Sequence, residues 1–102
     1  MGSNANVSGW SACVNTADGM IVASCTVTGE GISAVGLIVN TGEGQPVGSC
    51  YTELAGRCTS ASPSVNLVPN GLVEGDTLLL AASGEADGQH FFSEEKVAIG
   101  TC

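Results

Sequence analysis

The residues of this chain most able to do chemistry are its five cysteines, Cys13, Cys25, Cys50, Cys58 and Cys102. They occur in a chain of 102 residues that has only two basic side chains. Thiols at this density in so short a chain are typical of disulfide-stapled domains from an oxidising compartment. We therefore expect structural disulfide bonds and a secreted or cell-surface location, with a signal peptide already removed.

Strand alternation predicts one of these bonds. The turn at residues 16–19 connects two strands into a hairpin, in which Trp10 and Cys25 share the apolar face while Cys13 lies on the other face. The alternation of the last strand likewise directs Cys102 away from the core. If the first strand lies parallel to the last, Cys13 and Cys102 become neighbours, and we predict a Cys13–Cys102 bond.

A second bond is predicted between Cys50 and Cys58, which are close in sequence and would close a small loop. Cys25 is then left as a buried free thiol, a common state for this small apolar side chain. A rival pairing joins Cys25 to Cys102 and leaves Cys13 spare, and the sequence does not exclude it.

The segment between Cys50 and Cys58 is the candidate binding site. It contains the only tyrosine, Tyr51, and one of the two basic residues, together with an acidic and an aliphatic side chain. Tyrosine and arginine are favoured in binding hot spots, and a disulfide reduces the entropy that a loop loses on binding. Alternatives are a stapled turn that only stabilises the fold and a protease-blocking loop. The candidate binding residues are Tyr51, Glu53, Leu54 and Arg57.

No pattern of residues indicates catalysis, a metal or a cofactor. His90 is the only histidine, and no spacing of cysteines or carboxylates around it forms a zinc motif. The acidic pairs Glu74/Asp76 and Glu85/Asp87 offer two carboxylates each, whereas Ca²⁺ takes six to eight oxygen ligands. We therefore expect a non-enzymatic protein with neither a metal nor a cofactor.

The elements that would position these residues are short β-strands. Glycine and small polar residues interrupt β-rich runs at intervals of about 8–12 residues, as in sandwiches and barrels. We predict an all-β, immunoglobulin-like sandwich of about seven antiparallel strands. The predicted strands are residues 7–14, 20–28, 33–40, 47–52, 58–67, 76–83 and 90–100.

One short segment bears a family likeness. Gly48-Ser49-Cys50 followed by Cys58 is a Gly-x-Cys strand with a nearby cysteine. In this segment, and in its composition, the chain resembles the acidic apoproteins that carry antibiotics; its composition is also similar to that of small secreted bacterial immunoglobulin-like domains. The third strand lacks the tryptophan of antibody domains, since the only one is Trp10. No function is carried over from this likeness.

Charge and length limit the partners. The formal net charge of −8 disfavours nucleic acid and anionic membranes. No apolar run reaches the roughly 20 residues of a membrane span, so we expect no membrane insertion. Residues 1–3 are predicted to be an expression remnant, and residues 4–102 a single β-sandwich domain.

Together these features predict a non-enzymatic, secreted or cell-surface binding domain that uses loops at the poles of the sandwich. Its partner would be a protein or a glycan. One alternative is a small-molecule carrier with an apolar groove between the sheets, because a core with so few aromatic residues can leave space unfilled. A further alternative is a small protease inhibitor.

Overall fold

Seven β-strands form the fold in this computed structural model, which describes residues 5–102. The predicted remnant at residues 1–3 lies outside the described residues. Within them the protein is all-β, as predicted. No helix in residues 5–102 has the length and apolar character needed to cross a membrane. The strands are β1 (Ala5–Val14), β2 (Ile21–Thr41), β3 (Pro46–Ala61), β4 (Ser64–Leu67), β5 (Thr77–Ala86), β6 (Gln89–Ala98) and β7 (Gly100–Thr101).

Strand β2 replaces two predicted strands, 20–28 and 33–40. Its first half pairs with β1, with β4 and with the end of β3, and its second half pairs with the rest of β3 and with β5. The register with β3 shifts between Thr28 and Ile32, where Gly31 adopts a φ of 60°. Glycine tolerates this left-handed conformation, so the strand bends here instead of ending.

Strand β3 likewise joins the predicted strand 47–52 to the beginning of 58–67. The join is a wide irregularity: Glu53 pairs with Ala34 and Cys58 with Ile32, which leaves four residues of β3 opposite one of β2. Gly56 in this bulge has a φ of 78°. The remainder of the predicted strand 58–67 becomes the separate strand β4.

All seven strands belong to one hydrogen-bonded sheet. The path runs β6-β5-β2-β1-β7, and β3 and β4 also pair with β2. One half of the sheet contains the first half of β2 with β1, β4 and β7, and the other contains the second half of β2 with β5, β6 and most of β3. Because β2 contributes to both halves, the sheet curls into a nearly barrel-shaped layer. β1 and β7 pair in parallel, which is the arrangement of the first and last strands on which the Cys13–Cys102 prediction depended.

One aliphatic core fills the curled sheet. Its fully buried side chains are mainly Ile, Leu, Val and Ala, and Phe91 is the only aromatic that is similarly buried. No charged or polar side chain among the described residues is buried. The two halves of the sheet approach closely at Gly48 of β3, where an added Cβ would overlap Leu67 and lie 3.0 Å from Val65 of β4.

The first hairpin and its disulfide follow the predicted arrangement. Val14 pairs with Ile21, and Ala12 with Ala23. Cys13 is bonded to Cys102, with a Cα–Cα distance of 5.0 Å. The bond lies where β7 runs beside the end of β1, so the predicted Cys13–Cys102 pairing is confirmed.

Candidate binding face

The predicted Cys50–Cys58 bond is absent, because both residues lie on the extended strand β3 and both thiols are free. Cys50 pairs with Leu37 and Cys58 with Ile32, five positions apart along β2. At about 3.3 Å per strand residue, this offset is roughly 17 Å. A disulfide requires Cα atoms within about 7 Å. The segment is therefore a bulged strand and not a disulfide-closed loop.

The four predicted binding residues do not form a single cluster. Tyr51 and Glu53 are exposed on the side of β3 that faces away from the core. Leu54 is half-buried and packs against the core, and Arg57 is exposed in the bulge. The structure thus separates Tyr51 and Glu53, on the sheet surface, from Leu54 and Arg57.

Tyr51 instead belongs to a row that crosses four strands. Tyr51 of β3 pairs with Gly36 of β2, which pairs on its other side with Ser83 of β5, which pairs with Phe92 of β6. Paired residues in a sheet direct their side chains to the same face, so these four share one surface. Ile38 lies one row further on the same face of β2. We call Gly36, Ile38, Tyr51, Ser83 and Phe92 the outer face.

The outer face is a shallow trough between two aromatic side chains. Tyr51 is 67% exposed and Phe92 is 62% exposed, and Ile38 beside them is 43% exposed. Gly36 and Ser83 form the floor, and the Tyr51 ring lies against Gly36, where an added Cβ would be 3.4 Å from Cδ1. Three strand spacings of about 4.8 Å put the two aromatic residues about 14 Å apart.

Acidic residues border the trough. The next row on one side contains Glu53 and Glu85, and Glu85 pairs with His90. The row on the other side ends at Glu94, which pairs with Ala81. Lys96 lies one row beyond Glu94. The border therefore combines three carboxylates with one ammonium group, and it lies on a molecule whose formal net charge is −8.

The predicted binding residues do not include Phe92, which directly follows Phe91 in the sequence. The sequence did contain a signal for Phe92. Adjacent residues of a regular strand point to opposite faces, so only one of the two phenylalanines could enter the core of the protein. The position of Phe92 in the same row as Tyr51 could not be predicted, because it depends on the registers of three strand pairs, and one of them, β2 with β5, joins segments that are distant in sequence.

Cavities lie elsewhere among residues 5–102. One of about 230 Å³ opens between Val35, Thr52, Leu54 and Pro63, beside the bulge of β3. It is smaller than the roughly 300–1,000 Å³ of small-molecule sites, so the apolar groove expected of a carrier is little developed. Another, of about 430 Å³, lies at one pole and includes Glu43 and Asp76. Asp76 there accepts a hydrogen bond from the Val73 N–H (3.0 Å). Within residues 5–102 no group of three or more potential metal ligands occurs.

The third unpaired thiol, Cys25, is buried in the core with 2% of its surface exposed. Burial raises the pKa of this thiol to about 11, and the nearby Cys50 adds to the rise. Cys25 is therefore a neutral thiol at physiological pH, in contact with the core side chains.

Comparison with known proteins adds no assignment: no family model matches the chain, and no curated protein is significantly similar to it.

Proposed function

We propose that this protein is a non-enzymatic binding domain, secreted or displayed at a cell surface, and that it binds its partner with the outer face. The observation that carries the proposal is the row Tyr51–Gly36–Ser83–Phe92. Two large exposed aromatic side chains flank a floor without bulky side chains, and Ile38 extends the apolar surface. Tyrosine is enriched in binding hot spots, and contiguous exposed apolar groups are typical of interaction sites.

The partner we propose is a protein surface that presents lysine or arginine side chains. Cations interact favourably with the faces of aromatic rings and form charge-assisted hydrogen bonds with carboxylates. Glu53, Glu85 and Glu94 border the aromatic residues, and the net charge of −8 would speed the approach of a basic partner. An anionic partner would be repelled by the same charges.

We also propose that residues 4–102 form one domain and that the two halves of the curled sheet are the two layers of an immunoglobulin-like sandwich. The close approach of Gly48 to Val65 and Leu67 supports this view, since it brings the halves face to face. The Cys13–Cys102 disulfide supports an oxidising compartment.

The binding test uses a defined probe. An immobilised library of peptides with a net charge of +3 is compared with a library in which each Lys or Arg is replaced by Glu and with an array of neutral oligosaccharides. We expect binding to the cationic library only. Tyr51→Ala and Phe92→Ala should each weaken it about tenfold or more, the loss of about 1.4 kcal/mol expected at a hot spot. Raising the salt concentration should weaken binding further.

Val68→Ala is the matched control, because Val68 is an equally exposed aliphatic residue (69%) outside the outer face. This variant should bind like the wild type. Preferential binding of oligosaccharides would show that the partner is a glycan and not a protein. Amide chemical-shift changes confined to the pole turns, residues 41–45 and 69–76, would overturn the choice of the outer face.

A further inference from the structure

We propose that Cys25 and Cys50 form a disulfide bond that links the two halves of the curled sheet, and that Cys58 is the one free thiol of the oxidised protein. The proposal replaces both the predicted Cys50–Cys58 bond and the predicted free Cys25. Cys50 lies on β3 between Gly48, which closely approaches β4, and Thr52, which lines a cavity together with Pro63.

Residues on either side of Cys50 locate it over β4. Gly48 lies against Val65 and Leu67, as described above. Thr52 borders the same small cavity as Pro63, which immediately precedes β4. Gly48, Cys50 and Thr52 alternate onto one face of β3, because their β2 partners are the inward residues Val39, Leu37 and Val35. Cys50 therefore points into the core at the level between Pro63 and Val65.

Cys25 lies at that same level on the opposite half of the sheet. Its N–H donates to the carbonyl of Pro63 (3.3 Å), and Ala23, two residues earlier, pairs with Val65. Cys25 points inward, as its burial shows. The first half of β2 runs antiparallel to β4, and β4 runs back along β3. The chain therefore runs in the same direction from Ala23 to Cys25 as from Gly48 to Cys50. As a result, the two thiols face each other across the core.

The electrostatic environment is consistent with this placement. A charge on Cys50 is among the causes that raise the pKa of Cys25, so the two sulfur atoms are close enough to interact. Cys58 is a poorer partner for either thiol. It pairs with Ile32, where β2 has already bent into its second half, and the bulge of β3 separates it from Cys50.

The bond forms by thiol–disulfide exchange with a small disulfide such as oxidised glutathione. Cys50 is partly exposed, so its thiolate attacks the oxidant first, forms a mixed disulfide and releases one glutathione thiolate. Cys25 then attacks the Cys50 sulfur and displaces the second glutathione thiolate, which takes up the proton that Cys25 releases. Two protein thiols are oxidised, and one disulfide is reduced to two thiols.

The experiment is peptide mapping of the wild-type chain after equilibration with reduced and oxidised glutathione and alkylation at native pH. We expect a linked peptide pair containing Cys25 and Cys50, beside the Cys13–Cys102 pair, with the alkyl label on Cys58 alone. The intact mass should be four hydrogens below that of the fully reduced chain, two for each bond.

Two variants sharpen the result. Cys58→Ser should retain the Cys25–Cys50 link unchanged, and Cys50→Ser should leave Cys25 unlabelled until the protein is denatured. A Cys50–Cys58 or Cys25–Cys58 peptide pair would overturn the proposal. So would a chain that forms only the Cys13–Cys102 bond and takes up label on Cys50 and Cys58.

Discussion

Gly48 shows how strongly a single residue can depend on the curl of the sheet. Its hydrogen atoms face the side chains of Val65 and Leu67, which are buried at 7% and 2% exposure. Both side chains belong to the core cluster, and protein cores are close-packed, so they would have to shift to accept an added methyl group. Glycine is required here by the space available and not by a left-handed φ angle.

Gly48→Ala should lower the free energy of unfolding by about 1–3 kcal/mol, the usual cost of overpacking a core. Urea denaturation followed by tryptophan fluorescence measures it. The matched control is Gly42→Ala, where the added Cβ would make only ordinary contacts with Thr77, the nearest being 3.5 Å. Equal stabilities for the two variants would show that β4 can shift away from β3.

For single residues, the sequence predicted a side chain's direction correctly where that direction depends only on the alternation of its own strand. Alternation alone put Cys25 inside and Cys13 on the other face, and the structure agrees for both. It was wrong about Cys50 and Cys58, since closeness in sequence was taken as closeness in space. An extended strand separates residues by about 3.3 Å for each position, so the two cysteines closest in sequence lie too far apart to form a bond.

Among the elements, β2 limited what the sequence could predict. The residues around Gly29 and Gly31 are typical of a turn and predict the boundary between strands 20–28 and 33–40. β2 does change partner strands at this boundary. The chain nevertheless stays extended there, because β3 and β5 continue to hydrogen-bond to it beyond the bend. The first hairpin was predictable, since the register there is set by a local turn in which the Asn15 N–H donates to the Met20 carbonyl (2.8 Å).

The shortest element, β7, depends on the disulfide. It contains two residues and pairs in parallel with the end of β1, where Gly100 lies opposite Cys13. One backbone hydrogen bond follows it, from the Cys102 N–H to the Val14 carbonyl (3.1 Å). So few hydrogen bonds do not hold a strand end against fraying, and the covalent bond supplies the constraint.

The double substitution Cys13→Ser, Cys102→Ser should therefore detach β7 and destabilise the whole fold. We expect the free energy of unfolding to fall by about 2–5 kcal/mol, since the bond closes a long loop. Amide exchange of residues 101–102 should become as fast as in an unfolded peptide. Cys58→Ser is the control and should change neither quantity. Protected amides in the double variant would mean that strand pairing alone holds β7.

For the molecule as a whole, unbalanced charge is the dominant electrostatic feature. Ten acidic and two basic residues share one small fold with a radius of gyration of 13.7 Å. Like charges at such distances repel one another through solvent when the Debye length is about 30 Å, as at 0.01 M salt. The compact state therefore carries a repulsion that the expanded chain largely escapes.

The melting temperature should accordingly rise by about 2–8 °C between 0.01 and 0.15 M sodium chloride, which corresponds to up to about 1 kcal/mol for a domain of this size. Calorimetry measures the shift, and choline chloride should reproduce it if screening is the cause. The variant Glu94→Gln, Glu95→Gln removes two exposed charges and should show a smaller rise. A melting temperature that falls with salt would mean that attractive ion pairs outweigh the repulsion.

The Cys13–Cys102 bond also determines how the molecule responds to mechanical load. The two cysteines are 89 positions apart, so the bond closes nearly the whole chain into a covalent ring. Tension applied between the start of β1 and the final residue would peel residues 5–12 from β2 and would then pass through the sulfur atoms. From Cys13 to Cys102 the chain would behave as an inextensible link, under forces that unravel a domain whose ends are held by hydrogen bonds alone.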